Sequence, residues 1–277
     1  MADSFRLPIR EGIKKSAEVG AAGLQLYAVA GEMDPDNLDA AARQDLLQFI
    51  KDQGLVVAAV CGDLGGHGFA VAEDNPAKIE KSKKIVDLAK DLESNVITTH
   101  IGVIPEAETD VRKVMRDACN ELGAYAESVG ACFAIETGPE TAKVLKGFLD
   151  ELDTKGVRVN YDPANLVMVT GDDPVEGVRT LGDYIVHTHA KDGIMRQKTD
   201  PKVIYDYFAE GGIEDMRLSD YFLETPLGQG QVDWPAYLKA LEEIGYNGFL
   251  TIEREVGEDP EKDIREAVVF LQNLLRK

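Results

Sequence analysis

Short runs of apolar residues recur along the chain and read as buried β-strands. They begin at Leu24, Leu55, Val96, Cys132, Val157, Tyr184 and Gly248. Most successive runs start about 25 to 40 residues apart, a spacing that suits repeated strand–helix units. Because most runs lead with apolar residues and do not alternate strictly with polar ones, they predict a parallel sheet that is covered by helices.

The segments between these runs have the apolar period of amphipathic helices. One face of the stretch after Pro76 carries Ile79, Ile85, Val86, Ala89 and Leu92. The last predicted helix carries Ile264, Ala267, Val268, Leu271 and Leu274 at the same spacing. Three helix starts are marked by a capping residue followed by proline: Asn75-Pro76, Asp173-Pro174 and Asp259-Pro260.

Polar residues end four of the apolar runs. CFAIE ends at Glu136, VRVNYD at Asp162, YIVHTH at His189 and GFLTIE at Glu253. A closed barrel of parallel strands brings such residues together at its carboxyl mouth. Three carboxylates and one imidazole are ligands that suit a divalent ion such as Mn²⁺, Mg²⁺ or Co²⁺, and Zn²⁺ is a further candidate.

These residues also have ordinary structural interpretations. Glu136 could pair with a basic residue at the rim, since a carboxylate after four apolar residues needs a partner. Asp162 could instead cap the helix that follows it. Glu255 lies on the same face of the last strand as Glu253 and could take its place, while Arg254 points the other way.

The four histidines of the chain all lie at or just after a strand end: His67, His100, His187 and His189. His187 and His189 are two residues apart and therefore share one face of a strand. One of them could bind metal and the other a substrate hydroxyl. The loop CGDLGGHG lacks the ending of a phosphate-binding P-loop, so its glycines should let it pack closely and bring His67 near the site.

The distribution of these polar residues favours a closed barrel over an open sheet. A doubly wound open sheet binds its ligand at one switch point and would not collect side chains from strands along the whole chain. We predict an α/β fold, a single (β/α)8 TIM-barrel domain over residues 1–277. A helix predicted from Glu11 to Val19 leaves only residues 1–8 for the first strand, which should be short or truncated. The long segment 192–232 is predicted to be a partial lid or an oligomer contact.

Composition narrows the classes of partner. The formal net charge of −20 disfavours nucleic acids and anionic membranes. No apolar run approaches the roughly 18 residues of a membrane span, and the N-terminal segment has no apolar signal-peptide core. Three cysteines without paired spacing suit reduced thiols in a cytoplasm.

Eight segments of the sequence resemble the sugar phosphate isomerase/epimerase group of the xylose-isomerase-like TIM-barrel superfamily. They are GLQLYAVAGEMDP, CGDLGGHGFA, VITTHIGVIP, FAIETGPET, VNYDPANLVM, YIVHTHAKDG, PLGQGQVDW and GFLTIEREVG. The resemblance implies one divalent metal held by Glu136, Asp162, His189 and Glu253. It also implies that Glu136 and Glu253 are the catalytic acid/base pair. His189 is preferred to His187 because it precedes Ala190-Lys191-Asp192.

Six further residues are predicted to line or orient the substrate: His67, His100, Asn165, His187, Lys191 and Arg254. Asn165 stands where ketose 3-epimerase relatives carry a substrate-binding histidine, which argues against an identical free-ketose substrate. His67 and His100 resemble two of the additional histidines of endonuclease IV relatives, but Asn165 replaces another, and the net charge opposes DNA.

The resemblance implies a metal-dependent isomerase or epimerase of a sugar, sugar phosphate or related polyol. Such a metal acidifies the carbon between a keto oxygen and a neighbouring hydroxyl, and the two glutamates exchange the proton. The alternatives are a metal-dependent dehydratase of a keto-inositol, a sugar-binding barrel without turnover, and an endonuclease-IV-like phosphodiesterase.

Overall fold

A computed structural model describes residues 1–276. Within this range, seven parallel strands form a nearly closed barrel, in the spatial order in which they follow along the chain. They are β1 Gly23–Tyr27, β2 Val56–Cys61, β3 Val96–Thr99, β4 Cys132–Glu136, β5 Val157–Tyr161, β6 Ile185–Ala190 and β9 Leu250–Ile252. Two shorter strands, β7 Asp192–Met195 and β8 Phe222–Thr225, pair antiparallel outside the barrel.

Helices connect the barrel strands and pack around them. They are α1 Ile9–Glu18, α2 Ala40–Asp52, α3 Asn75–Asp91, α4 Asp110–Ser128, α5 Ala142–Leu149, α6 Pro163–Asn165, α7 Pro174–Leu181, α8 Pro201–Ala209, α9 Trp234–Glu243 and α10 Pro260–Leu275. A π-helical turn, Leu166–Thr170, extends α6. The architecture is that of a (β/α)8 TIM barrel, which confirms the predicted fold class.

The first two residues stand where an eight-stranded barrel has its first strand. The Met1 amino group donates to the Ile252 carbonyl at 2.6 Å, and the Ala2 amide donates to the Gln25 carbonyl at 3.0 Å. A 3₁₀ turn, Asp3–Phe5, follows before α1. Residues 1–2 therefore bridge β1 and β9, in agreement with the prediction of a very short first strand.

Near their carboxyl ends, the barrel strands alternate between buried apolar residues on one face and polar residues on the other. Ile135 of β4 lies opposite Val159 of β5, and both are buried. One step further along the same strands, Glu136 lies opposite Asn160. This register brings the polar strand ends to one level, at the mouth of the barrel.

Two of the three predicted helix caps are present. The side chain of Asp173 accepts from the amides of Val175 and Glu176, and that of Asp259 accepts from the amide of Lys262. The third prediction was wrong by one position, because α3 already includes Asn75. The Asn75 side chain donates to the Phe69 carbonyl instead, and so it is used to fix the preceding loop.

Among residues 1–276, no helix combines the length and the apolar character that crossing a lipid bilayer requires.

Candidate metal centre and active site

Four side chains from four strand ends converge at the barrel mouth. Glu136 ends β4, while Asp162, His189 and Glu253 lie at or next to the ends of β5, β6 and β9. One ligand atom from each residue lies within 4.8 Å of the other three. Three of these residues are buried and Glu253 is nearly so. The cluster consists of the four residues predicted as metal ligands.

Two amide side chains hold the carboxylate of Glu136. Asn160 donates to Oε2 at 3.0 Å, and Asn165 donates to Oε1 at 3.1 Å. Both bonds come from buried groups, so they restrict the rotation of the carboxylate. Asn165, which was predicted to contact substrate, therefore contacts Glu136. Asn165 also lines the cavity that is described below, and its contact with substrate stays a prediction.

Asp162 serves as a helix cap and a cluster member at the same time. Its Oδ1 accepts from the amides of Ala164 and Asn165, at 2.8 and 3.0 Å. Its Oδ2 is buried and has no hydrogen-bond partner among the described residues. The two interpretations of Asp162 therefore do not compete, because each uses a different oxygen.

His189 directs one ring nitrogen at three carboxylates. Nδ1 lies 3.2 Å from Glu253 Oε2, 3.5 Å from Glu136 Oε1 and 3.5 Å from Asp162 Oδ2. The other nitrogen, Nε2, lies 3.2 Å from Gln25 Oε1. When the ring is neutral, a proton on Nε2 that is donated to Gln25 leaves the electron pair of Nδ1 facing the cluster, whereas a protonated ring directs an N–H donor there.

Charge inside the cluster shifts two pKa values in opposite directions. Burial alone would lower the pKa of His189, but the carboxylates of Glu253 and Glu136 outweigh it and raise that pKa well above its ordinary value. Burial would raise the pKa of Glu253, but His189 and Lys191 hold it well below its usual range. The carboxylate of Glu253 therefore stays ionised although it is buried.

The donor atoms fit a divalent metal ion. Asp162 Oδ2 and His189 Nδ1 are buried polar atoms that lack a hydrogen-bond partner in residues 1–276, and both face the centre of the cluster. Leaving such atoms unsatisfied is costly, and a cation between them would satisfy both. An oxygen-rich set with one imidazole suits Mn²⁺, Mg²⁺ or Co²⁺ better than a structural zinc ion.

Lys191, which directly follows β6, contacts the cluster glutamate next to the end of β9. Its ammonium group is buried, lies 3.0 Å from Glu253 Oε2 and also contacts Glu255. Burial would lower the pKa of Lys191, but the two glutamates raise it well above its ordinary value. Glu255 is largely exposed and lies outside the four-residue cluster, so Glu253 is the cluster glutamate, as predicted.

A cavity of about 290 Å³ opens directly above the cluster. This volume lies at the small end of the range for ligand pockets. Seven of the predicted substrate or metal residues line it: His67, His100, Glu136, Asn165, His189, Lys191 and Glu253. The cavity therefore gives a small ligand direct access to the cluster.

His100 is oriented by a carboxylate from the neighbouring glycine-rich loop. Its Nδ1 lies 3.0 Å from Asp63 Oδ2, and its Nε2 lies 3.8 Å from Glu136 Oε1. Burial would lower the pKa of His100, but Glu136 and Asp63 raise it to about 10. The loop can approach because a Cβ at Gly68 would meet the Ile101 carbonyl carbon at 2.0 Å, so only glycine fits there.

The segment 192–232 covers part of the cavity, as predicted for a partial lid. Helix α8 presents Ile204, Tyr205 and Phe208 to the cavity, and Asp206 lies near His67. The ring of Tyr205 lies 5.8 Å from that of His100, centroid to centroid. His67 is half-exposed and its Nε2 lies 2.8 Å from Glu210 Oε1, just beyond α8. An oligomer contact through this segment stays a prediction.

Two predicted substrate residues lie outside the cavity lining. His187 is buried one level below the cluster, 2.9 Å from both Gln25 Oε1 and Thr251 Oγ1, and burial lowers its pKa well below the ordinary value. Arg254 donates to Glu224 at 2.6 Å and to Asp263 at 2.7 Å. These partners give both residues a structural task, and their contact with substrate stays a prediction.

Several residues of the site carried no signal in the sequence. Gln25 ends no apolar run and lies in the middle of β1, yet it contacts both strand β6 histidines. Asn160 precedes the predicted ligand by two positions, which on a strand means the same face, and that spacing could have identified it. Tyr205 reaches the cavity only through the path of the 192–232 segment, which no periodicity reveals.

Comparison with known proteins places the chain in a family. A family model described as xylose isomerase-like TIM barrel matches residues 13–274. The chain is 26% identical over 152 residues to an inosose dehydratase of Clostridium perfringens, an alignment covering 53% of this chain and 48% of that protein. The chain thus spans about half the length of the curated relatives it matches.

Solved structures share the fold over nearly the whole chain. A xylose isomerase domain protein from Planctomyces limnophilus superposes with a TM-score of 0.79 at 24% identity, over 95% of this chain and 90% of that one. D-psicose 3-epimerase from Clostridium cellulolyticum H10 superposes with a TM-score of 0.73 at 16% identity, over 98% of this chain and 95% of that one. The predicted family is confirmed, and the chain belongs to the xylose isomerase-like TIM barrel family.

Proposed function

We propose that this chain is a metal-dependent isomerase or epimerase that moves a proton at the carbon next to a carbonyl group of a sugar or polyol. The observation that carries the proposal is the convergence of Glu136 and Glu253 on one nitrogen of His189, beneath a cavity of monosaccharide size. Two carboxylates that reach one point from different strands can address the same carbon from two directions.

A divalent ion in the cluster would supply the Lewis acidity that makes the carbon beside the carbonyl acidic. The protein residues supply the rest. Asn160 and Asn165 fix the Glu136 carboxylate, so that it can accept or return a proton at a defined position. His189 and Lys191 keep Glu253 ionised, so that its carboxylate is free to accept a proton.

The test is exchange of solvent deuterium into recovered sugars, screened over ketoses and keto-polyols with the metal-loaded protein. We expect exchange with at least one compound, and a loss of at least about 10²-fold for Glu136→Gln. Glu121→Gln, at an exposed position of α4, is the matched control and should retain the rate. Unchanged activity and unchanged metal content in Glu136→Gln would refute the assignment.

A dehydratase of a keto-cyclitol is the second candidate. The similarity to inosose dehydratase favours it, and the same residues could remove a proton before a neighbouring hydroxyl leaves. Product analysis separates the two reactions. An isomerase or epimerase returns isomers of the substrate that carry deuterium and have not lost water. A dehydratase gives a product that has lost water.

A further inference from the structure

The cavity above the cluster is rich in carboxylates. Six of them line it: Asp63, Glu136, Asp206, Glu224, Glu253 and Glu255. Among residues 1–276, the lining holds no arginine and one lysine, Lys191. A divalent ion would not reverse this balance, because three carboxylates around two positive charges keep one net negative charge.

Each basic side chain at the cavity already has two acidic neighbours. Lys191 contacts Glu253 at 3.0 Å and also contacts Glu255. Arg254, just behind the lining, donates to two further carboxylates, those of Glu224 and Asp263. Pairs of this kind leave no cationic group free for an anionic ligand.

The histidines repeat this pairing. His100 lies between Asp63 at 3.0 Å and Glu136 at 3.8 Å. His67 lies 2.8 Å from Glu210 and 3.8 Å from Asp206. The amino group of Met1, which also lies in the lining, donates to the Ile252 carbonyl. A phosphate group carries about −1.5 to −2 charges at neutral pH and would meet carboxylates on every side.

The same groups suit an uncharged polyhydroxy ligand. Carboxylates accept hydrogen bonds from hydroxyl groups, and the cavity offers them on several sides. One wall is apolar instead and consists of Met168, Val169, Ile204 and Phe222, which belong to one packed cluster, and Phe208 is a further apolar residue of the lining. Such a wall can cover the C–H face of a sugar or cyclitol ring while the carboxylates bind its hydroxyls.

We propose that the substrate is an uncharged keto-sugar or keto-cyclitol of single-ring size, and that the cavity rejects phosphate esters and sugar acids. This inference rests on the proposed function for the type of reaction. The predicted rejection of anionic ligands is inferred from the charge of the cavity alone. The selectivity and the proposed reaction can therefore fail separately.

The test compares matched pairs by calorimetry on the Mg²⁺-loaded full chain: D-fructose with D-fructose 6-phosphate, D-xylulose with D-xylulose 5-phosphate, and myo-inositol with myo-inositol 1-phosphate. We expect the neutral member of any pair that binds to do so at least about tenfold more tightly than its ester. Equal or tighter binding of the ester overturns the inference, whereas deuterium exchange in a neutral or esterified sugar would still support the proposed reaction.

A charge variant makes the test independent of turnover. Glu255→Gln removes one of the two acidic partners of Lys191 at an exposed position, and so it should strengthen inorganic phosphate binding by about three- to tenfold. Glu258→Gln, an exposed glutamate outside the lining, makes the same change in net charge and should have no effect. Wild-type protein that saturates with phosphate below about 1 mM would overturn the inference. If phosphate is rejected and Glu255→Gln admits it while no sugar exchanges deuterium, the charge inference holds and the proposed function fails.

Discussion

At the scale of single residues, the site depends on side chains that hold the predicted ligands in place. Gln25 is fully buried and accepts hydrogen bonds from both His187 and His189. Its own amide donates to Thr98 Oγ1 at 3.1 Å, which fixes the direction of its oxygen. Partners of this kind set the tautomer of a metal-binding histidine and raise its basicity.

We therefore predict that Gln25→Met lowers the affinity for Mn²⁺ by about 10- to 100-fold, because His189 loses the group that fixes its proton on Nε2. Thr251→Val is the matched control, since the Thr251 hydroxyl group forms its hydrogen bond with His187 Nε2. Titration calorimetry on both folded variants gives the comparison. Equal affinities for the wild type and Gln25→Met would show that Gln25 does not orient the ligand.

A second residue-scale prediction concerns Glu140, whose Oε1 is buried without a hydrogen-bond partner in the described residues. Burial raises its pKa from 4.5 to about 8. The folded protein thus binds this proton more tightly than the unfolded chain does, so its contribution to stability falls as the pH rises from about 4.5 to about 8.

Glu140→Gln should remove this dependence. Relative to the wild type, we expect the variant to be more stable at pH 8, by on the order of 2 kcal/mol, and to differ much less near pH 4.5. Urea unfolding at both pH values measures the difference. A stability difference that does not change with pH would mean that Glu140 is ionised in the folded protein.

At the scale of elements, the loop before α9 is held by one carboxylate. Asp192 is buried and accepts five hydrogen bonds, from the amides of Gly193, Gly228, Gly230 and Val232 and from the indole of Trp234. A Cβ at Gly230 would lie 2.1 Å from Asp192 Oδ1, so a glycine is needed for this close approach. Asp192 is also the first residue of β7, and the segment that follows covers part of the cavity.

Asp192→Asn should destabilise the fold by about 2 to 4 kcal/mol, because an amide group would turn a donor toward backbone N–H groups. The control is Asp233→Asn, five residues after Gly228, where asparagine caps α9 as well as aspartate does. Urea unfolding, with amide exchange of residues 226–234, measures both. A loss no larger than that of the control would contradict the role given to Asp192.

The elements also show where the sequence is informative and where it is not. Apolar runs predicted the seven barrel strands to within two residues at most ends, because buried parallel strands are continuous apolar segments. The antiparallel pair of β7 and β8 was not predicted. Strand β8, FLET, is short and partly exposed, and its pairing depends on a partner that is close in space only after the barrel forms.

The residues of the site also fall into two groups, those that the sequence indicates and those that it does not. Glu136, Asp162, His189 and Glu253 could be predicted because each ends an apolar run, and the barrel fold sends such positions to one place. The contact of Arg254 with substrate stays a prediction, and the partners that it has in the structure, Glu224 and Asp263, come from β8 and α10. Contacts between elements that are distant in sequence have no local pattern, so these partners could only be found in three dimensions.

At the scale of the whole molecule, the barrel gathers a concentrated negative charge in a buried place. The chain carries a net charge of −20, and three of its carboxylates converge within the barrel mouth around a single imidazole. His189 and Lys191 offset part of this charge, but the three carboxylates still repel one another strongly where water is excluded. A bound cation would relieve this repulsion and stabilise the folded barrel.

The most direct measurement is anomalous X-ray diffraction from crystals of the protein loaded with Mn²⁺. One strong anomalous peak per chain is predicted, in contact with Glu136, Asp162, His189 Nδ1 and Glu253, and it should be absent in Asp162→Asn crystals. A chain without any peak, or with its main peak at His67 and His100, would contradict the assignment of this cluster as the metal centre.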